Sequence, residues 1–208
     1  MPLLAKRLRR GGCAAAGVVL QGLSNLRQPP RLPVSPLAVG QPPLLKRFAR
    51  RGKSNTETTR MPKVLIILGS KSDMEFAKTC AKQLQTLGIE SSIEVSSAHR
   101  HPERTGKLTS EAEANGFEVI VAMAGLSAAL PGVAAAHSNL PVIGVPIPAA
   151  LDGLDSLLSV VQMPPGIPVA AVAIGKPGAT NAAILAARIL ALKYPGVKKS
   201  LDKHRKSL

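Results

Sequence analysis

The chain has 208 residues, 45% of them hydrophobic, and a formal net charge of +15. That apolar content excludes a wholly disordered polypeptide, and two cysteines, Cys13 and Cys80, exclude a disulfide scaffold and multi-cysteine zinc modules. No tryptophan, one tyrosine and three phenylalanines speak against an aromatic stacking platform for RNA or single-stranded DNA.

The charge is unevenly placed. Residues 1–60 hold twelve Lys/Arg and one acid, Glu57, whereas residues 61–208 hold fifteen bases and eleven acids. The basicity therefore belongs to an extension, and the body lacks the basic stripe of a nucleic-acid-binding protein. The extension carries Gln28-Pro29-Pro30 and Gln41-Pro42-Pro43 and no sustained apolar period, so it reads as disordered. Its start, residues 1–10, is basic and acid-free, and a short apolar stretch over 13–20 follows. That is the character of a mitochondrial or plastid transit peptide, although serine is sparse. Two other readings stand beside it: translation starting at Met61, which implies a cytoplasmic body, and a nucleic-acid-binding arm.

In the body, residues 63–68 form a short β-branched apolar run ending at Gly69, the pattern of a buried strand. From Asp73 the period changes: Ala77, Cys80, Ala81, Leu84 and Leu87 share one helical face, with Ser72 and Glu75 as a capping box and Gly88 as the stop. Residues 89–95 alternate like a second strand, and Pro102 opens a helix running to Asn115-Gly116. Residues 119–124, 141–145 and 169–174 read as three further strands, and 179–192 as an Ala/Leu-rich helix buried on several sides. Residues 119–151 contain no Lys, Arg, Asp or Glu, but seven glycines and prolines interrupt them, so they predict strand, turn, short helix and strand rather than a membrane span. Five apolar strands separated by helices predict an α/β fold, a doubly wound parallel sheet in three layers. In such sheets ligands bind beyond the carboxyl ends of the strands.

The loops at those ends carry chemistry. Gly69-Ser70-Lys71-Ser72-Asp73 sets two hydroxyls beside the free amides of a helix start, an anion site that is neither a Walker loop nor a dinucleotide fingerprint. Asp73 is either a plain helix cap or an acceptor for a sugar hydroxyl. Ser96-Ser97-Ala98-His99-Arg100-His101-Pro102 offers a histidine, the side chain suited to moving protons near neutral pH, and an arginine that can hold phosphate or carboxylate. The loop from Ala124 and Gly125 through Ser127 and Ala129 to Leu130 is small and largely apolar, which lets backbone approach a ligand and suits a small neutral gas. Pro/Gly-rich stretches over 149–157 and 162–168 read as subunit contacts or site walls. Cys80 reads as core, and His137 and His204 as structural or solvated. No two-His-plus-carboxylate spacing suggests a metal.

Taken together, Gly69-Ser70-Lys71-Ser72-Asp73, Ser97-Ala98-His99-Arg100, the 124–132 loop, Asp155-Ser156-Leu157 and Gln162-Met163-Pro164-Pro165-Gly166-Ile167-Pro168 resemble the carboxyaminoimidazole ribonucleotide mutase family of purine biosynthesis, over about residues 61–192. The resemblance implies a flavodoxin-like catalytic domain over 61–208, a homo-octamer with sites between subunits, and neither a metal nor an organic cofactor. It implies migration of a carboxylate from the exocyclic nitrogen of 5-(carboxyamino)imidazole ribonucleotide to the adjacent ring carbon, through trapped carbon dioxide. It also implies functional coupling to the enzyme that makes this substrate. On matching positions Ser70, Ser72 and Asp73 hold phosphate and ribose, Ser97 and Ala98 line the nucleotide, and Arg100 holds phosphate. His99 is the general acid/base, and Gly125, Ser127, Ala129 and Leu130, after Ala124, cover the base and the gas. One position departs: the mutase branch usually carries a histidine where this chain has Ala129. The branch that carboxylates aminoimidazole ribonucleotide directly also lacks it, but has Arg-Ser-Asn where this chain has Leu126-Ser127-Ala128, and lysine for Arg100. Direct carboxylation is thus the alternative activity, and a non-catalytic nucleotide-binding module the alternative of another class.

Overall fold

The computed structural model describes residues 61–208, which lie within one unit, Thr56–Leu208. The expectations for residues 1–60 lie outside the described residues. Five parallel strands, β1 (Lys63–Leu68), β2 (Glu90–Val95), β3 (Val119–Ala124), β4 (Val142–Pro146) and β5 (Ala170–Ala171), form one sheet in the order β2-β1-β3-β4-β5. The chain passes from β1 to one neighbour, β2, then crosses back to the other, β3. The topological switch therefore lies between β1 and β3.

Alternation along the strands builds two cores. Val64, Ile66 and Leu68 of β1 and Val119, Val121 and Met123 of β3 face α1 (Met74–Thr86), α5 (Gly175–Leu190) and α6 (Pro195–Arg205). Leu65, Ile67, Ile120, Ala122 and Ala124 face the other way, toward α2 (Pro102–Ser110), α3 (Leu130–His137) and α4 (Leu154–Val161). Burial on both faces makes β1 and β3 continuous apolar runs. No described helix is long and apolar enough to cross a membrane.

Several elements differ from the sequence reading. The Ser72/Glu75 capping box does not form: a single 3-10 turn, Lys71–Asp73, intervenes, Ser70 accepts from the Ser72 amide, and α1 starts at Met74 without a side-chain cap. Gly88 does stop α1, at φ +76°. The expected helix to Gly116 is regular only to Ser110, after which i−3 and i−4 bonds mix (Ala112 N–H to Thr109 O, Asn115 N–H to Glu111 O).

The fifth strand is two residues, not six. Gly144 O accepts the Val172 amide at 3.2 Å while the Ile147 amide turns to Ala124 O on the β3 side. Alternation therefore puts residue 146 on the β5 side, where Pro146 has no N–H to donate, and the ladder ends. α5 begins at Gly175, four residues earlier than expected, because Pro177 sits in the first turn, where its missing N–H costs nothing. α4 and α6 had no helical signal assigned.

Candidate active site

The first three loops meet at the switch. Gly69, leaving β1, donates its amide to Met123 O at 3.1 Å, which joins the end of β1 to the end of β3. Ser70 follows in extended backbone (φ −146°, ψ 154°) and caps the 3-10 turn. Ser72 Oγ lies 2.9 Å from both Ser70 Oγ and Asp73 Oδ1. This hydroxyl–carboxylate cluster sits half-buried to exposed on the carboxyl edge of the sheet.

The second loop is a tight turn. Ser97 O accepts the His101 amide at 2.8 Å, and Ser97 Oγ accepts the Arg100 amide at 3.3 Å. Arg100 folds back to donate from Nη2 to Gly69 O at 3.4 Å, which links this loop to the first. His99, at the tip, is exposed, and its imidazole makes no hydrogen bond with another described residue. Ala98 packs partly against the second core.

The third loop leans on the fourth. A Cβ at Gly125 would stand 3.1 Å from Ile147 O and 3.4 Å from Ala149 Cβ, so the two backbones touch there. Ala128 N–H donates to Gly125 O at 3.2 Å to close the turn. Leu126 takes φ +54° and stays exposed, as does Ser127. Ala129 is the N-cap of α3 and offers no side-chain cap, which leaves first-turn amides free. Ala124 and Leu130 are buried in the second core.

The fourth loop, 147–153, carries three successive left-handed residues, Leu151 (φ +45°), Asp152 (φ +52°) and Gly153 (φ +89°). Buried Ser156 pins it, lying 3.0 Å from Ile147 O and 2.9 Å from Gly153 O. Over 149–157 the sequence predicts a subunit contact or site wall, without the left-handed run. Residues 162–168 lie between α4 and β5. There Met163 rests on Gly132 of α3, where a Cβ would come within 3.3 Å of its sulfur.

Two surface depressions lie away from these loops. One, about 520 Å³, is lined by residues 135–141 and 166–168. The other, about 840 Å³, lies between α5 and α6. At the switch the converging residues are half-buried to exposed: Ser70, Asp73 and Ser97 are half-buried, and Ser72, His99, Arg100 and Ser127 face solvent in one chain.

A family model described as AIR carboxylase matches residues 63–208. The chain belongs to the AIR carboxylase family. It is 55% identical over 149 residues to an N5-carboxyaminoimidazole ribonucleotide mutase of Pyrococcus abyssi, covering 71% of this chain and 84% of that relative. It is 51% identical over 146 residues to the bifunctional purine synthesis protein purC/E of Dictyostelium discoideum, of which it spans 15%. Among solved structures, Treponema denticola PurE matches with a TM-score of 0.65 at 35% identity, over 70% of this chain and 90% of that one. The AIR carboxylase family match covers every element from β1 to α6 and stops short of the basic extension.

Proposed function

We propose that this protein is an N5-carboxyaminoimidazole ribonucleotide mutase of purine biosynthesis, an isomerase acting on a small ribonucleotide. The observation that carries the reading is the convergence at the β1/β3 switch: Arg100 bridges the His99 turn to the phosphate-type loop at Gly69, beside a small apolar loop. The identity of the chain to relatives bearing that name supports it.

In this reading Ser70, Ser72 and Asp73 hold the phosphate and ribose, Ser97 and Ala98 line the nucleotide, and Arg100 neutralises phosphate. The carboxyamino group loses carbon dioxide: the N–C bond breaks and His99 gives its proton to the exocyclic nitrogen. The adjacent ring carbon then attacks carbon dioxide, a C–C bond forms, and His99 takes the displaced ring proton. The histidine ends as it began and the sum is an isomerisation. The small apolar loop around Gly125, Ser127 and Ala129 keeps the gas close and away from water. The free amides at the start of α3 suit the new carboxylate. Ala129 supplies no imidazole, so a single histidine moves both protons.

The working unit in this reading is a homo-octamer with sites between subunits. The exposure of His99, Arg100 and Ser127 in one chain and the outward apolar face of α4 (Leu154, Leu158, Val161) support it. The purC/E relative, which carries this domain inside a bifunctional purine synthesis protein, supports coupling to a neighbouring step.

Turnover of 5-(carboxyamino)imidazole ribonucleotide at low bicarbonate by the full chain is the expected result. Turnover only of aminoimidazole ribonucleotide at high bicarbonate would overturn it in favour of direct carboxylation. His99→Asn should lower kcat at least about 10²-fold while substrate still binds.

A further inference from the structure

The hydroxyls of Ser96 and Thr105 lie 2.8 Å apart. Ser96 is 1% exposed and Thr105 fully buried, and theirs is the only side-chain pair between buried residues among the described hydrogen bonds. Thr105 Oγ1 donates to His101 O at 3.0 Å, and the Thr105 amide donates to the same oxygen at 3.0 Å. A hydroxyl has one hydrogen. With that hydrogen spent on His101, Thr105 Oγ1 accepts from Ser96. The bonds therefore run in one direction: Ser96 hydroxyl to Thr105 hydroxyl to His101 carbonyl. At its far end Ser96 is fixed to β1, its amide donating to Leu68 O at 2.9 Å.

This relay joins the two ends of the turn that carries His99 and Arg100. Inside the turn Ser97 holds the amides of Arg100 and His101, which sets its shape but not its aim. Among the described residues, the one other hydrogen bond from the turn to the sheet edge is the long 3.4 Å bond from Arg100 to Gly69 O. A buried neutral hydroxyl pair adds little stability over apolar groups of the same shape. What it adds is direction, because one angle satisfies both partners.

We propose that Ser96 and Thr105 are positioning residues that aim His99 at the substrate, acting through the His101 carbonyl and touching no substrate themselves. The proposal rests on the reading of His99 as the proton-moving group. A displacement of about 1 Å at such a group can cost about 10²-fold in rate, so a loosened turn shows in kcat before KM.

The test uses the full chain with Thr105→Val, Thr105→Ser and the double variant Ser96→Ala/Thr105→Val. Thr105→Val leaves the Ser96 hydroxyl buried without a partner and is expected to lower both the unfolding midpoint and kcat. The double variant removes both hydroxyls. It is expected to regain the midpoint but keep kcat about tenfold or more below wild type, with KM within about twofold. Thr105→Ser keeps the relay and is expected to keep kcat. Amide hydrogen exchange supplies a readout independent of catalysis: Arg100 and His101 should exchange about tenfold faster in the double variant, with α1 unchanged. Wild-type kcat and exchange in the double variant, or a Thr105→Ser as impaired as Thr105→Val, would overturn the proposal. A wild-type chain that does not turn over the substrate defeats the functional reading instead, and the exchange result then still decides whether the relay holds the turn.

Discussion

At Gly125 the fit of two backbones decides what the residue can be. With Ile147 O 3.1 Å and Ala149 Cβ 3.4 Å from the position of a Cβ, Gly125→Ala pushes the third loop off the fourth. The substitution also stiffens the unfolded chain, which offsets part of the strain. Turnover is therefore expected to fall about tenfold or more while the unfolding midpoint moves little, measured by steady-state kinetics and thermal melts on the same preparation. Cys80 behaves oppositely: it is sealed in the α1 core and burial pushes its thiol up to about 12. Little thiolate exists at pH 8, so Cys80 should resist alkylation in the native protein and react on denaturation, as read by peptide mapping that resolves it from Cys13. Native labelling of Cys80 at the rate of a free thiol would mean that α1 opens readily.

At the level of elements, the sequence was most readable where one physical signal dominated. β1 and β3 matched their expected bounds because burial on both faces writes an unbroken apolar run, opened by the charged Lys63 or Glu118 and closed by Gly69 or Gly125. β5 was overread: its apolar residues are real, but the ladder depends on Pro146 of a different strand, and a local pattern cannot show that. α4 escaped because its outward face is the apolar one, which reverses the usual amphipathic reading. α6 escaped because what docks it is remote in sequence. Tyr194 donates its hydroxyl to Glu118 Oε1 at the start of β3, and Lys193 donates to Glu118 Oε2 at 2.9 Å. The loops of the site were legible as residue types, but the relay behind His99 was not, since Ser96 and Thr105 meet only once β2 and α2 are packed. The latch at α6 carries its own pH signature. Burial first, then the bond to Glu118, raises the Tyr194 phenol above its ordinary 10.0. The protonated form is the one the fold prefers, so this contribution is complete below pH 10 and is lost as pH rises through the elevated value. The midpoint gap between wild type and Tyr194→Phe should stay constant from pH 7 to 9 and close above about pH 10. A gap that already closes by pH 8 would mean the latch contributes through something other than this proton.

For the molecule as a whole, charge and exposed apolar surface belong to different parts of the sequence. The extension adds most of the charge, yet every proposed site residue lies between Ser70 and Leu130. A chain lacking residues 1–60 should therefore keep kcat and KM. The apolar face is the more demanding feature. Leu154, Leu158 and Val161 are 51%, 48% and 53% exposed on α4, and Leu151 and Leu126, at the rim of the site, are 73% and 56% exposed. Exposed apolar side chains in such number are costly in water, and covering each contributes up to about 1.5–3 kcal/mol. Leu126 and Leu151 sit on the two loops that touch at Gly125, so in the proposed assembly with sites between subunits a copy that covers α4 would also cover the rim of the site. Assembly and activity should then fail together. The double variant Leu154→Lys/Leu158→Lys changes no proposed site residue and no buried side chain, so the subunit should keep its fold and its far-ultraviolet dichroism. Sedimentation velocity should show a smaller species than wild type, and turnover should drop in the same preparation. A small species with full turnover would mean that one chain suffices for the chemistry. An unchanged sedimentation coefficient would mean that α4 faces solvent in the assembly, and that its leucines are covered by nothing the protein makes with itself.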